Sequence, residues 1–342
     1  MAAARRPTIN AVAAKAGVSR GTVGMILSGK GELFRSETIA LVQQAAAAIG
    51  YRPNAAAQST RTGRTGAIGL LRSPHPLASV LSARLLDGIE EAIDDQQLRL
   101  SLARFPDVAL TAEAFIPELL RTVSVDGLLI HYTSGIPERM RALIQAHQIP
   151  AVWMNIQAER DAVHPDDLGA GEHAAEILIA HGHRDIAYVD YTVGAMPTGD
   201  QWHYSFRDRP TGVARRCARS KARYRFIGAP EGDWILTTRA WLTRADRPTA
   251  VVVNGAQYAN VILHVAMLMG LKISGDLSLI MLNSNRDQLL GRWPHLLLTP
   301  EIEMGRTAVA LLLKRIAGKR AQPVVSLPFT EIPGDTVGAP VR

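Results

Sequence analysis

A chain of 342 residues with 47% hydrophobic and 20% charged residues is long enough for two or three domains and apolar enough to bury a core. It has no apolar run long enough to span a bilayer, no charged-then-apolar leader at "MAAARRPTIN", and a single cysteine, Cys217. A membrane protein, an exported protein and a disulfide scaffold are therefore not expected, and the expected compartment is the cytoplasm. The formal net charge of +7 sits at one end: residues 1–65 hold nine Lys and Arg against two acids, leaving 29 of each sign in the remainder. A compact basic head on a neutral body is the electrostatic footprint of phosphate binding.

In chain order, "TINAVAAKAG" opens on Thr8, a good helix N-cap, and sets Ile9, Val12, Ala13 and Ala16 on one face. Gly17 ends that segment and Val18 follows as a buried turn residue. Ser19 then caps a second helix, on which Val23, Ile26 and Leu27 recur at helical spacing. Two short helices joined by so tight a turn make a helix-turn-helix. A third helix is expected from about Ser36 to Ile49, with Ile39, Val42, Ala46 and Ile49 facing inwards. "GYRPNAAAQSTRTGRTG" supplies a stop, a Pro53 start, one short helix and a Gly/Thr-rich joint.

This stretch resembles the DNA-binding head and hinge of the lac-repressor-type (LacI/GalR) transcription regulators. The pattern rests on Thr8, Val12, Ala13, Ala16, Gly17, Val18, Ser19, Thr22, Val23, Tyr51, Pro53, Asn54 and Ala57. The resemblance implies that Thr8, Ser19, Thr22 and Asn54 contact phosphate oxygens, which position the head without reading sequence. It assigns base reading to Arg20, Gly21 and the position of Met25, and brings Ala57 and Thr60 of the hinge to the DNA. This chain departs from the pattern where it matters. Arg20 can hold a guanine edge through two hydrogen bonds, but Gly21 has no side chain to read with. Gly24 and Met25 stand where the family usually has serine and arginine, and Thr60 stands where it inserts a leucine wedge into the minor groove. The loop "SGKGELFR" is one residue longer than in some relatives. The scaffold is expected intact and the reading code altered.

From Gly66 onward, short apolar strands alternate with amphipathic helices. The strands expected are "AIGLL", "RLSLA", "DGLLI", "PAVWM", "DIAYV", "YRFI", "TAVVV" and "LSLIML". Helices are expected in "LASVLSARLLDGIEEAIDD", "IPERMRALIQAH", "GEHAAEILIAHG" and "YANVILHVAMLMG". Such alternation argues for doubly wound parallel sheets, here in two lobes with a cleft where the strands' carboxyl ends meet. The body resembles the same family's effector domain, which is similar to periplasmic sugar-binding proteins. "AHGHRDIAYV", "RPTAVVVNG", "GDLSLIMLNS" and "EMGRTAVALLLKRI" carry that resemblance. It implies a cleft arginine at Arg209 and effector contacts from Asn155, Trp202, Asn254 and Asn283, with Asp166 a further polar contributor. Asn254 and Asn283 stand where the family has an Asn-Asp pair and an aspartate, and could instead cap their loops. The shortage of carboxylates favours a ligand that is itself anionic or is bound through amides. Among the aromatics, Trp202 and Tyr204 are placed beside the cleft, Trp293 is a weaker candidate, and Trp153 is read as core.

Other signals carry less. "HGH" at His181 and His183 is too close-spaced and isolated for a zinc site, and "GAG" at Gly169–Gly171 lacks the third glycine of a nucleotide loop. No nucleophile-and-base arrangement is evident, so no enzyme, cofactor or metal is expected. The run from Arg207 to Arg225, eight basic residues against Asp208 alone, is either a second anion patch or a solvated helix face. The full expectation is an N-terminal all-α helix-turn-helix head (1–52), a hinge helix and linker (53–65), and an α/β two-lobed periplasmic-binding-protein-like effector domain (66–342). The resemblance implies a homodimeric repressor on a pseudo-palindromic double-stranded DNA operator, switched by a carbohydrate or sugar-acid effector, with no membrane partner. A transport solute-binder, and a DNA binder with a decayed effector site, are the alternatives.

Overall fold

The computed structural model describes residues 7–52, 63–73, 80–104, 124–133, 136–193, 202–228 and 233–341. The chain forms two compact units, Met1–Gly66 and Ala67–Arg342. In the first, α1 (Ile9–Ala16) and α2 (Arg20–Leu27) start where their cap residues place them, and α3 (Ser36–Ala48) starts after Arg35 without a side-chain cap. Thr8 accepts a hydrogen bond from the Ala11 N–H at 3.3 Å, and Ser19 accepts one from the Thr22 N–H at 3.0 Å. Gly17 turns the chain between α1 and α2 at φ +65, a left-handed conformation that would cost a residue with a side chain about 1–2 kcal/mol. The three helices share one core of Val12, Ala13, Val23, Ile26, Val42, Ala45 and Ala46. Val18 is half-buried rather than buried, because the turn presents only one side of it to that core. Phe34 also packs against the core after a short 3-10 turn at Gly31–Leu33, a contribution the sequence pattern had not assigned. Residues 53–62, which hold the expected Pro53 start and most of the hinge helix, lie outside the described residues.

The second unit contains two six-stranded sheets. One runs in the order β11-β5-β4-β3-β1-β2, from β1 (Ala67–Arg72), β2 (Arg99–Arg104), β3 (Gly127–His131), β4 (Ala151–Met154), β5 (Ala162–Pro165) and β11 (Val325–Leu327), all parallel. The other runs β12-β10-β9-β8-β6-β7, from β6 (Asp185–Asp190), β7 (Arg223–Gly228), β8 (Ala250–Asn254), β9 (Ser278–Asn283), β10 (His295–Leu298) and β12 (Thr330–Ile332). Only the β10–β12 pair is antiparallel. Central strands such as "GLLIH" are buried along their whole length, as parallel strands covered on both faces must be.

Helices supply the cover. On the first sheet, α4 (Ala83–Asp94) and α10 (Glu301–Ile316) bury one face, and α5 (Glu138–Ala146) packs on the other. On the second sheet, α6 (Asp167–Ala180) and α7 (Ser205–Arg219) lie on one face. The other face takes α8 (Trp234–Leu242) and α9 (Ala256–Leu268). The chain passes between the lobes three times: after β5, between β10 and α10, and between β11 and β12. No described helix is long and apolar enough to cross a membrane.

Candidate DNA-reading face and effector cleft

On α2 the buried Val23 and Ile26 face the core, which turns Arg20, Gly21, Gly24 and Met25 outwards along a single face. Arg20 and Gly21 are exposed, and Met25 keeps 37% of its surface accessible. This face offers one cation and one thioether, with glycine between them. Around it, the capping hydroxyls retain the means to hold phosphate. A hydroxyl has one proton and two lone pairs, and the cap on α1 uses only a lone pair of Thr8. Ser19 and Thr22 share a hydrogen bond of 2.9 Å, which consumes one of their two protons and leaves the other. Lys15, Lys30, Arg35 and Arg52 are exposed as well, and no ion pair among the described residues involves any of them or Arg20. Asn54, Ala57 and Thr60 lie outside the described residues.

In the second unit, polar residues gather at the carboxyl ends of strands, where open α/β sheets bind ligands. His131 ends β3, Asn155 follows β4, Asp167 follows β5, Asp190 ends β6, Asn254 ends β8 and Asn283 ends β9. Backbone packing positions the central arginine. A Cβ on Gly171 of α6 would lie 2.1 Å from the Arg209 carbonyl oxygen, and one on Gly212 of α7 would lie 2.2 Å from that of Leu168. Only glycine permits so close a crossing, and it carries Arg209 to the start of α6. There Arg209 Nε donates to Asp167 Oδ1 at 2.5 Å, and Nη1 donates to Asn254 Oδ1 at 2.6 Å. Asn254 Nδ2 in turn donates to Asp190 Oδ2 at 2.7 Å.

This pair is buried, not a surface ion pair: the side chains of Arg209 and Asp167 are 15% and 1% exposed. Burial by itself works against the charged guanidinium, but the Asp167 carboxylate overcomes it and raises the arginine's pKa. The second oxygen of Asp167 and the Tyr188 hydroxyl are buried with no hydrogen-bond partner among the described residues. Two expectations change here. Asp166 caps α6 by accepting from the Gly169 N–H at 2.9 Å, so the cleft carboxylate is its neighbour, Asp167. With Asp167 and Asp190 both present, the arginine's charge is matched, and the argument for an anionic ligand loses its basis.

The facing lobe meets this cluster through Asn155, whose φ of +57 turns its carbonyl towards α7. That carbonyl accepts from His203 Nε2 at 2.8 Å, so the imidazole proton must sit on Nε2, and Nδ1 accepts from Ser205 Oγ at 2.7 Å. The Tyr204 hydroxyl donates to Asn155 Oδ1 at 3.3 Å. Gln157 donates to Asp208 at 2.7 Å and accepts from Arg207 at 3.3 Å. At the β10–α10 crossover, the Glu301 carboxylate accepts from both Ser82 (2.7 Å) and Ser284 (2.9 Å), one on each lobe. His131 is buried, and burial together with its neighbours His203 and Arg72 lowers its pKa to about 4.

Of the five effector residues expected, the structure brings Arg209 and Asn254 into direct contact and sets Asn155 on the opposing lobe. Asn283 holds its own loop by donating to the Asn285 carbonyl at 3.0 Å, the capping role. Trp202 packs edge-on against Phe206 and is 38% exposed. Trp293 lies under the Arg286 guanidinium, 4.8 Å from its ring centre. Asp167, Asp190, His131 and His203 were missed, although their placement at strand ends and at the head of α7 was a usable signal. His183 is fully buried and satisfied by Thr249 and the Gly338 carbonyl, a structural histidine. The basic run resolves as a paired face: Arg216 meets Glu176, Arg219 meets Glu172, and Arg223 and Arg225 share Asp185 and Asp246. Among the described residues no group of three His, Cys, Asp or Glu side chains could hold a metal ion.

A helix-turn-helix with an open cationic face, on a chain with a two-lobed α/β body, defines a DNA-binding transcription regulator. Residues 8–54 match the bacterial regulatory proteins of the lacI family, and residues 175–337 match the periplasmic binding protein-like domain. The head is thus similar to that of the lacI family, and much of the body to a periplasmic binding protein-like domain. It is 33% identical over 193 residues to the maltose regulon regulatory protein MalI of Escherichia coli K12, an alignment covering 55% of each chain. It is 29% identical over 337 residues to the HTH-type transcriptional repressor PurR of Escherichia coli O1:K1, covering 92% of each. Two solved structures share the fold. A lac repressor dimer bound to operator and the anti-inducer ONPF has TM-score 0.75 and 22% identity, covering 98% of this chain and 100% of that one. A complex of the regulator CelR with cellobiose has TM-score 0.63 and 21% identity, covering 97% and 100%.

Proposed function

We propose that this chain is a transcriptional repressor that binds a pseudo-palindromic DNA operator as a homodimer in the cytoplasm. A small neutral polyhydroxylated ligand of the sugar class, held in the cleft, controls that binding. The observation that carries the DNA part is the outward face of α2, with exposed Arg20 and Met25 flanked by hydroxyls that keep a proton for phosphate. Thr8, Ser19 and Thr22 would fix the head on the backbone, Arg20 would take a guanine, and Met25 would meet a thymine methyl. The hinge residues Asn54, Ala57 and Thr60 would follow the DNA. Homodimerisation is supported by apolar side chains that α8, α9 and the β9–β10 loop leave exposed, among them Ile235, Leu236, Met267, Leu268 and Leu290. Two heads related by a two-fold axis require two half-sites.

The ligand class follows from Arg209. Its charge is balanced by Asp167 and its orientation fixed by Asn254, so it presents directed donors without a net positive charge. Sugar hydroxyls suit such a site, with Asn155, Trp202 and Asn283 as further wall residues. The test is a selection of genomic fragments by the purified chain, with the winners titrated at several salt concentrations and sedimentation used to establish the dimer. A shared palindromic site bound well above competitor DNA supports the reading. No shared site, with affinity falling equally steeply with salt on every duplex, refutes it.

A further inference from the structure

Strands β4 and β5 are joined by the loop 155–161 rather than by a crossover helix, although a parallel sheet normally has helices on both faces. On the α5 side the cover stops short, and a groove of about 1030 Å³ opens over β4. Its floor is the ring of Trp153, with the Arg141 guanidinium 5.1 Å from the ring centre. Its rim carries Arg160 and Lys319, neither of which is ion-paired among the described residues. Of the lining acids, Asp161 is engaged by Arg315 at 3.5 Å and by the Gln322 N–H at 2.7 Å, leaving Glu159 alone against three cations. In a body that is formally neutral, this is a local excess of two positive charges.

We infer that this groove is a second ligand site, separate from the interlobe cleft, for an organic anion that joins a planar ring to a phosphate-like group. The ring lies against Trp153, whose face is already shown to accept a flat cationic plane. The anion takes charge-assisted hydrogen bonds from Arg141, Arg160 and Lys319. The volume is that of a small-molecule site. The site is coupled to the lobes by Gln157, which lines the groove and also holds Asp208 and Arg207 on α7, next to Arg209.

The test titrates the full chain with ADP, adenosine and pyrophosphate, by calorimetry and by tryptophan fluorescence. ADP is expected to bind once per chain, to quench fluorescence, and to bind at least about tenfold more tightly than adenosine or pyrophosphate, since it uses both ring and charge. Arg160→Ala with Lys319→Ala should weaken ADP about tenfold or more, two lost charged hydrogen bonds. Trp153→Phe should abolish the quench while calorimetric binding persists. Arg209→Lys, in the cleft, should leave ADP affinity unchanged, whatever it does to the cleft's own ligand. No ADP binding at millimolar concentration overturns the inference. So does binding that survives Arg160→Ala with Lys319→Ala, which would place the anion on the basic head, or binding that is lost with Arg209→Lys, which would place it in the cleft.

Discussion

The candidate DNA-reading face and the cleft both centre on an arginine, and they treat it in opposite ways. Arg20 is exposed, makes no ion pair among the described residues, and shares its unit with other exposed cations. Arg209 is buried, locked to Asp167 and Asn254, with Asp190 behind them. A surface meant for a polyanion keeps its charge open, because binding draws on the release of counterions from phosphate. A cleft whose guanidinium is already neutralised offers donors in fixed directions, and a neutral, hydrogen-bonding ligand fits that better than an anion.

Removing one charge from each region should therefore have unequal consequences. Asp167→Asn leaves a buried guanidinium without its counter-charge, and a loss of roughly 3–5 kcal/mol of stability is expected in denaturant unfolding. Arg20→Ala should leave stability within about 0.5 kcal/mol, as surface changes do. Equal costs would break the comparison.

Acid should also act on one region only, because all ten histidines lie beyond residue 66. An unfolded chain protonates histidine near 6.5, whereas folded His131 does so only near 4. Between those values the unfolded state binds the extra proton, so stability falls as pH drops from about 6.5 to 4 and then levels off. The size is about 3 kcal/mol for His131, and His131→Gln should remove that part of the slope in pH-dependent unfolding. Specific DNA binding isolates the head instead. Arg20→Ala should weaken the selected operator by about 1–3 kcal/mol, with competitor DNA losing much less in the same titration.

The smallest effects come from one substitution made in two places. Gly171→Ala places a Cβ against the Arg209 carbonyl and should lower stability by about 1–3 kcal/mol. A Cβ on Gly21 meets only Ser19 Oγ, at an ordinary 3.5 Å, so Gly21→Ala should stabilise the head by about 0.5–1 kcal/mol. Thermal unfolding followed by circular dichroism reads both signs.

What could be read in advance followed the range of the interactions involved. Thr8, Gly17 and Ser19 act within four residues of themselves, so residue type alone placed α1 and α2. The apolar runs of β1, β3, β8 and β9 announced themselves. The strands β5, β10, β11 and β12 have three or four residues each and are flanked by proline or polar turns, too short for periodicity to register. In the cleft, Arg209 and Asn254 were visible as residue types at strand and helix ends, but their bond depends on the Gly171–Gly212 crossing. No local pattern distinguishes Asp166 from Asp167 either. One caps a helix and its neighbour meets an arginine 42 positions away. The three-dimensional crossing decides which does which.

The most direct test of a neutral-ligand cleft driving an open DNA face is a titration of the operator complex with matched ligands. Neutral hexoses and disaccharides would be compared with the uronic acids and phosphates of the same skeletons, at fixed ionic strength. The account predicts that at least one neutral sugar shifts operator affinity by tenfold or more, that its charged counterpart does so far less, and that the shift is lost in Asp167→Asn. A charged sugar that outperforms its neutral parent would contradict the reading of Arg209. A full panel that never moves operator affinity would leave a DNA binder whose cleft no longer switches it.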